Sequence, residues 1–313
     1  VTIEHAIGID VGGTGTKGGI VGRDGEIVER SKVSTDAHAG TKGILQVADT
    51  LLEKARDLGL EVDAIGVGAA GFVDYAKGSV IFSPNVEYDD PHISNALTSH
   101  TGLKAVVDND ANAAAWGERT FGSAKGLDHI AMLTLGTGVG SGFVVDGRLL
   151  RGSTGAGAEF GHLVIDPDGP DCKCGLKGCL EQFASGQAIA RMGRAAALKN
   201  PDSTMVAFAG EVDKITSEDV ARAAREYDET ARAVLREAGE ALAIGLSNIA
   251  NLFDPQVIVL GGSVAEAGEP YLGPARDGLA RMSSAQRRRP MRLDVTKLGN
   301  DAGMLGAAAL ALA

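Results

Sequence analysis

All three cysteines of this 313-residue chain fall within eight residues, as Cys172, Cys174 and Cys179, and His162 stands ten residues before the first. The spacing H-x9-C-x-C-x4-C collects one nitrogen and three sulfur donors, the set of a closed, tetrahedral Zn²⁺ site. Buried reduced thiols or a strained C-x-C disulfide are the alternative readings. Four protein ligands leave no open coordination position, so such a metal would order the chain without activating water. Gly175 and Gly178 permit the tight turns between ligands. Glu159 and Glu181 bracket the cluster. Their harder oxygen donors stand outside the four-ligand set and are placed to bind hydroxyl groups.

A second chemistry is carried by two glycine-rich runs, Gly12-Gly13-Thr14 and Gly136-Thr137-Gly138. Such turns expose successive backbone N–H groups that can surround an anion. Plain hairpin turns would use the same residues. Asp10, just before the first run, suits Mg²⁺, bound directly or through water. The third element is D-N-D-A-N, residues 108–112. A carboxylate at a strand end, opposite phosphate-binding loops, is where phosphoryl transfer needs a group to take the acceptor hydroxyl's proton. Equally, Asp108 or Asp110 could simply cap a helix starting at Ala111.

The elements that must hold these residues follow from the hydrophobic pattern. A-I-G-I-D (6–10) reads as a buried strand, then the glycine run, then a strand in G-G-I-V-G and a turn at D-G-E. No helix follows the glycines directly, which excludes a P-loop or dinucleotide fingerprint. The pattern restarts at residues 129–135, with H-I-A-M-L-T-L, G-T-G-V-G-S-G, and F-V-V turning at Asp146-Gly147. The repetition indicates an internal duplication of one α/β unit. Helical spacing covers residues 41–58, 92–100, 111–118, 216–226 and 229–252. Strands are expected at 64–71, 104–110 and 256–260, a loop at S-P-N (83–85), and a helix of small residues at 301–313. The expected domains are 1–110 plus 301–313, and 111–300. Two such halves would meet at an interdomain cleft, a common place for small ligands.

Composition limits the partners. The net charge of −11 disfavours nucleic acid and anionic membrane surfaces. Arg287-Arg288-Arg289, the one basic block, reads as a solvated turn before Pro290. Aromatic residues make up 4% of the chain, which argues against base-stacking surfaces. No stretch is apolar enough to span a bilayer, the opening residues do not resemble a signal peptide, and the cysteine usage fits a reducing compartment. The expected location is the cytoplasm.

Taken together, D-V-G-G-T (10–14), D-N-D-A-N-A-A-A (108–115), L-G-T-G-V-G-S-G (135–142), Glu159/Gly161/His162, C-x-C-G-x-x-G-C-x-E (172–181) and V-I-V-L-G-G (257–262) resemble the ROK family of sugar kinases and repressors. The resemblance runs in order from about residue 6 to residue 312 and is nearest to bacterial ATP-dependent glucokinases. It implies the duplicated actin-like/ribonuclease H-like (sugar kinase–hsp70–actin) two-domain α/β fold. It also implies transfer of the ATP γ-phosphoryl group to the 6-hydroxyl of D-glucose, with Asp110 as general base.

Asn109 and Asp110 then match contacts on the 4- and 6-hydroxyl side. Glu159, His162 and Glu181 match contacts to the 1- and 2-hydroxyls, and Gly71 and Asn85 the remaining sugar contacts. Asp10, Gly12, Gly13, Thr14, Gly136, Thr137 and Gly138 match the phosphate and Mg²⁺ loops, and Gly261 and Gly262 the loop near adenosine. The implied cofactors are ATP with Mg²⁺ and a structural Zn²⁺, and the implied assembly is a homodimer or homotetramer. Gly15 follows the D-V-G-G-T motif and Lys17 comes two residues later, a G-x-K arrangement also similar to polyphosphate-using glucokinases. Those generally lack the cysteine cluster, which favours ATP. Related kinases for N-acetylglucosamine, N-acetylmannosamine, fructose or mannose share the motifs. ROK regulators carry a helix-turn-helix ahead of D-x-G-G-T, where this sequence has nine residues, so a kinase is expected over a sugar-sensing repressor.

Overall fold

The computed structural model describes residues 4–13, 15–34, 40–83 and 86–313. Its first sheet has the order β3-β2-β1-β4-β7. The strands are β1 (His5–Val11), β2 (Gly15–Gly22), β3 (Ile27–Ser34), β4 (Ala64–Ala69) and β7 (Lys104–Asn109). The first three form an antiparallel meander, while β1–β4 and β4–β7 pair in parallel. A two-stranded hairpin, β5 (Phe72–Asp74) with β6 (Ser79–Phe82), sits between β4 and β7 in sequence. The second sheet has the order β10-β9-β8-β11-β12, from β8 (Ile130–Leu135), β9 (Val139–Val145), β10 (Arg148–Leu149), β11 (Val257–Gly261) and β12 (Arg292–Val295). Both orders are a three-strand meander followed by two later strands. The duplication read from the two glycine runs is therefore a repeat of topology. Strands β2 and β9 begin directly after those runs, at Gly15 and Val139. Within β9, Gly142 lies against the backbone of Ala111.

The helices of the first half are α1 (Gly40–Asp57), α2 (Ile93–Thr101) and α3 (Asp110–Thr120). Ile44, Val47 and Leu51 of α1 are buried with Ile7, Ile9 and Ile65 of the sheet. The second half carries α4 (Glu181–Ala184), α5 (Gly186–Lys199), α6 (Thr204–Ala209), α7 (Ser217–Arg225), α8 (Glu229–Phe253), α9 (Glu269–Met282) and α10 (Ser284–Arg288), and the chain closes with α11 (Ala302–Ala311). The sequence pattern does not mark α5, α6, α9, β12 or the β5–β6 hairpin. The reasons are local: β5 has three residues, and α9 contains Pro274.

Two compact units result. The first comprises Val1–Met132, Gly142–Ala158 and Thr296–Ala313, the second Leu133–Ser141 and Glu159–Val295. This differs from the boundary expected at residue 110, because α3 packs along α11 and stays with the first unit. The returning chain is fastened there by Glu118, a fully buried carboxylate of α3. It accepts hydrogen bonds from the Leu298 amide (3.1 Å), the Thr296 hydroxyl, and the amide and hydroxyl of Ser123 (2.7 Å each).

Helix α11 is buried along its whole length, which its small residues allow. A side chain at Gly8 or Gly66 of the sheet would run into the backbone of α11, and one at Gly306 would strike the Ala113 carbonyl of α3. Gly306→Ala should accordingly lower stability by about 1–3 kcal/mol, as expected for overpacking where backbone cannot yield. A urea unfolding midpoint that stays at the wild-type value would contradict this packing.

Candidate functional site

In the first unit, β1 delivers Asp10 to the first glycine loop. The loop closes on itself through the Gly12 amide, which donates to the Gly15 carbonyl (3.0 Å). Thr14 lies outside the described residues, as does Asn85. Burial pushes the Asp10 carboxyl above its ordinary range. The Lys17 ammonium 3.1 Å away opposes that rise and Asp301 adds to it. Lys17 also donates to the Asn300 carbonyl. A Cβ at Gly303, in the first turn of α11, would come within 2.8 Å of the Asp10 carboxylate. Glycine there lets the helix end approach the acid.

At residues 108–110 three adjacent side chains take separate tasks. The helix cap is Asn109, and neither aspartate serves as one. Its Oδ1 accepts from the amides of Ala111 (2.9 Å) and Asn112 (3.0 Å), and its Nδ2 donates to the Gly71 carbonyl (3.0 Å). Asp108 is buried. Its Oδ1 accepts from the Asn109 amide (2.8 Å) and Asn112 Nδ2 (3.0 Å), and its Oδ2 is 2.8 Å from both Nε and an NH₂ of Arg151. Asp110 opens α3, half-buried, with its Oδ1 accepting from the Ala111 amide (2.9 Å). Tyr88 lies within electrostatic reach. Its phenol is pushed up by burial first, then by Asp110 and Asp10, and it donates to the Ala70 carbonyl (3.2 Å). Asp10, Asn109, Asp110 and Gly71 thus share one neighbourhood of the first unit. Tyr88 and Arg151 belong to it, and sequence reasoning missed both. Neither stands in a motif, and Arg151 meets Asp108 across 43 positions of sequence.

In the second unit, the Gly136 amide donates to the Gly138 carbonyl (3.0 Å), and the Gly186 amide at the start of α5 donates to the Gly136 carbonyl (2.8 Å). The second glycine loop is thereby held against a helix N-terminus. A cavity of about 270 Å³ opens here, lined by Gly136, Thr137, Gly186, Lys214, Ser217 and Ser263 among others. The hydroxyls of Thr137, Ser217 and Ser263 and the Lys214 ammonium group suit an anionic ligand. The segment T-S-E-D (216–219), a capping box opening α7, was a legible signal for one wall of this cavity. Gly261 ends β11, and Gly262 (φ 86°) lies against the Leu135 backbone, where a side chain would collide.

The thiols of Cys172, Cys174 and Cys179 are free, and with a His162 ring nitrogen the four donor atoms lie within 4.8 Å of one another. Cys172 Sγ is 3.6 Å from His162 Nδ1, and Cys174 Sγ is 3.6 Å from Cys179 Sγ. Two sulfurs on one tetrahedral zinc stand roughly 3.8 Å apart, so the donor set fits that ion. Gly175 (φ 92°) and Gly178 (φ 65°) occupy the left-handed region, and the Gly178 turn is pressed onto the Asp166 backbone. Glu181, two residues past Cys179, accepts the Val139 amide through Oε2 (2.9 Å), which ties the cysteine segment to the second glycine loop. Glu159 is pushed above its usual range by burial, with Glu181 adding and His162 opposing.

The cap at Asn109 is testable by itself. Asn109→Ala removes two accepted bonds at the start of α3 and should cost about 0.5–2 kcal/mol, read from the denaturant midpoint. A variant as stable as the parent would show that the cap does not hold α3.

The ROK family model matches residues 6–313 of the chain. The glucokinase of Streptomyces coelicolor is 38% identical over 309 residues, covering 97% of this chain and 96% of that protein. The glucokinase of Thermotoga maritima is 37% identical over 306 residues, covering 97% and 96%. Among solved structures, a ROK family glucokinase from Streptomyces griseus in complex with glucose and AMPPNP superimposes with a TM-score of 0.85. It is 38% identical and covers 98% of this chain and 99% of that one.

Proposed function

We propose that this chain, which belongs to the ROK family, is an ATP-dependent glucokinase that phosphorylates the 6-hydroxyl of D-glucose, with Asp110 as the general base. The observation that carries the assignment is the division of labour at 108–110. Asn109 caps α3 and Asp108 pairs with Arg151, while Asp110 stands in the first helical turn with its carboxylate oriented by the Ala111 amide. A positioned carboxylate can take the hydroxyl proton as the oxygen attacks phosphorus. The similarity to glucokinases along nearly the whole chain, and the complex of one such relative with glucose and AMPPNP, support glucose and ATP as the substrate pair.

The remaining roles follow the same reading. Asn109, Gly71 and Asn85 contact the sugar with Asp110, and Glu159, His162 and Glu181 hold its 1- and 2-hydroxyls. Gly12, Gly13, Thr14, Gly136, Thr137 and Gly138 surround the phosphates, and Gly261 and Gly262 lie near the adenosine. The second-unit cavity beside Gly136 and Thr137, with Lys214, supports the anionic part of that assignment. Asp10 is the acidic group for Mg²⁺, which would neutralise charge on the β- and γ-phosphates. His162, Cys172, Cys174 and Cys179 would hold Zn²⁺, whose contribution is to order the segment carrying Glu181. The reading also includes a homodimer or homotetramer in the cytoplasm with no nucleic-acid partner. Among the described residues no helix is long and apolar enough to cross a membrane.

Three outcomes test it. Asp110→Asn should cut kcat by roughly 10²–10⁴-fold while calorimetry shows glucose still bound. Wild-type turnover in that variant would remove Asp110 from the base role. A panel of glucose, mannose, fructose and N-acetyl hexosamines against ATP and polyphosphate should favour glucose with ATP. Cys174→Ser should lose zinc, measured by elemental mass spectrometry, and glucose affinity together. Affinity that survives zinc loss would break the link between the metal and the sugar contacts.

A further inference from the structure

We infer that Arg151 is a positioning residue for the reacting end of α3, acting through Asp108 as a strut braced on Tyr75. The inference rests on Asp110 being the base, and it concerns what holds that base in place. Arg151 presents Nε and NH₂ to one oxygen of Asp108, both at 2.8 Å. The guanidinium lies over the Tyr75 ring with its carbon 3.7 Å from the centroid. That stacking fixes the plane of the fork, which a lysine ammonium cannot reproduce. The other oxygen of Asp108 accepts the Asn109 amide and Asn112 Nδ2. Those two residues flank Asp110, one before it and one a half-turn after it. Asn109 in turn fixes the Ala111 and Asn112 amides. A connected set of bonds therefore runs from Tyr75 and Arg151 to the amides of Asn109, Ala111 and Asn112 on either side of Asp110.

Burial gives the pair its force. Asp108 is 2% exposed and Arg151 about a quarter exposed, so each charge has lost most of its water and depends on the other. The segment bearing Arg151 is itself held close, because Gly155 lies against the Val73 backbone of β5, where no side chain would fit. Tyr75 follows directly on β5. One hairpin thus supplies both the stacking face and the seat for the loop that carries the arginine.

The test compares Arg151→Met, Arg151→Lys and Tyr75→Leu with the wild type in two measurements. Backbone hydrogen exchange across residues 109–112 reads the strut without any reaction. Steady-state kinetics with the best sugar of the panel reads its consequence. Arg151→Met should speed exchange at 109–112 and lower kcat by roughly 10- to 100-fold, the scale of a small misplacement of reacting groups. The KM for ATP should stay near its wild-type value. Arg151→Lys should recover part of both losses. Tyr75→Leu keeps the ion pair and should shift both in the same direction by less, which preserves the test if Arg151→Met does not fold. Unchanged exchange in the folded variants overturns the strut. Faster exchange with unchanged kcat overturns its role in positioning Asp110. If the wild type phosphorylates no sugar, the base assignment fails instead, and exchange alone decides whether Arg151 holds the start of α3.

Discussion

Backbone-to-backbone packing around α11 is the constraint on which the first unit depends. A helix made of alanine, glycine and leucine with one methionine, Met304, is buried end to end between the sheet and α3. Close approach is possible because Gly8 and Gly66 of the sheet and Gly306 of the helix have no Cβ to obstruct it. Proteins pack their interiors at crystal-like density, so a position of this kind tolerates no added methyl group. The functional effect is indirect. Strand β1 carries Asp10 one residue before its end and α3 begins with Asp110, and both lean on the same helix. At Gly303 the absence of a Cβ leaves room for the Asp10 carboxylate itself.

Charge is managed by separation of tasks. Asp10, Asp108 and Asp110 crowd one region of the first unit, which mutual repulsion would oppose. Asp108 is neutralised by Arg151 and Asp10 faces Lys17, while Asp110 stands at a helix N-terminus, where the peptide dipoles favour an anion. Three carboxylates with three different partners make the arrangement stable without making the acids equivalent. In the second unit the same economy appears at Glu181. One of its oxygens steadies the second glycine loop through the Val139 amide, while the residue stays tied by sequence to Cys179. Order imposed on the cysteine segment is thus passed to that loop.

Much of this was legible before the fold was known, where the chemistry is local. The four donors fall within twenty residues of sequence, and their side chains do converge. The glycine runs repeat with the same flanking strands, and the sheets repeat one strand order. Residues 108–112 announced a strand end and a helix start, yet the pattern offered only Asp108 or Asp110 as the helix cap. Oxygen positions decide the cap, and Asn109 holds them.

What the sequence by itself determined is the duplicated α/β architecture and the grouping of the four donor side chains of 162–179, because each rests on contacts between near neighbours or on a repeated period. What only the tertiary structure decided is which partner each of these carboxylates, Asp10, Asp108 and Asp110, takes. Arg151 reaches Asp108 from 43 residues away, and nothing in the spacing of either residue encodes that meeting. The unit boundary is of the same kind. A break after β7 seemed natural along the chain, but α3 follows its packing against α11, some 190 residues later in sequence. Local pattern names the groups, and long-range burial assigns their partners.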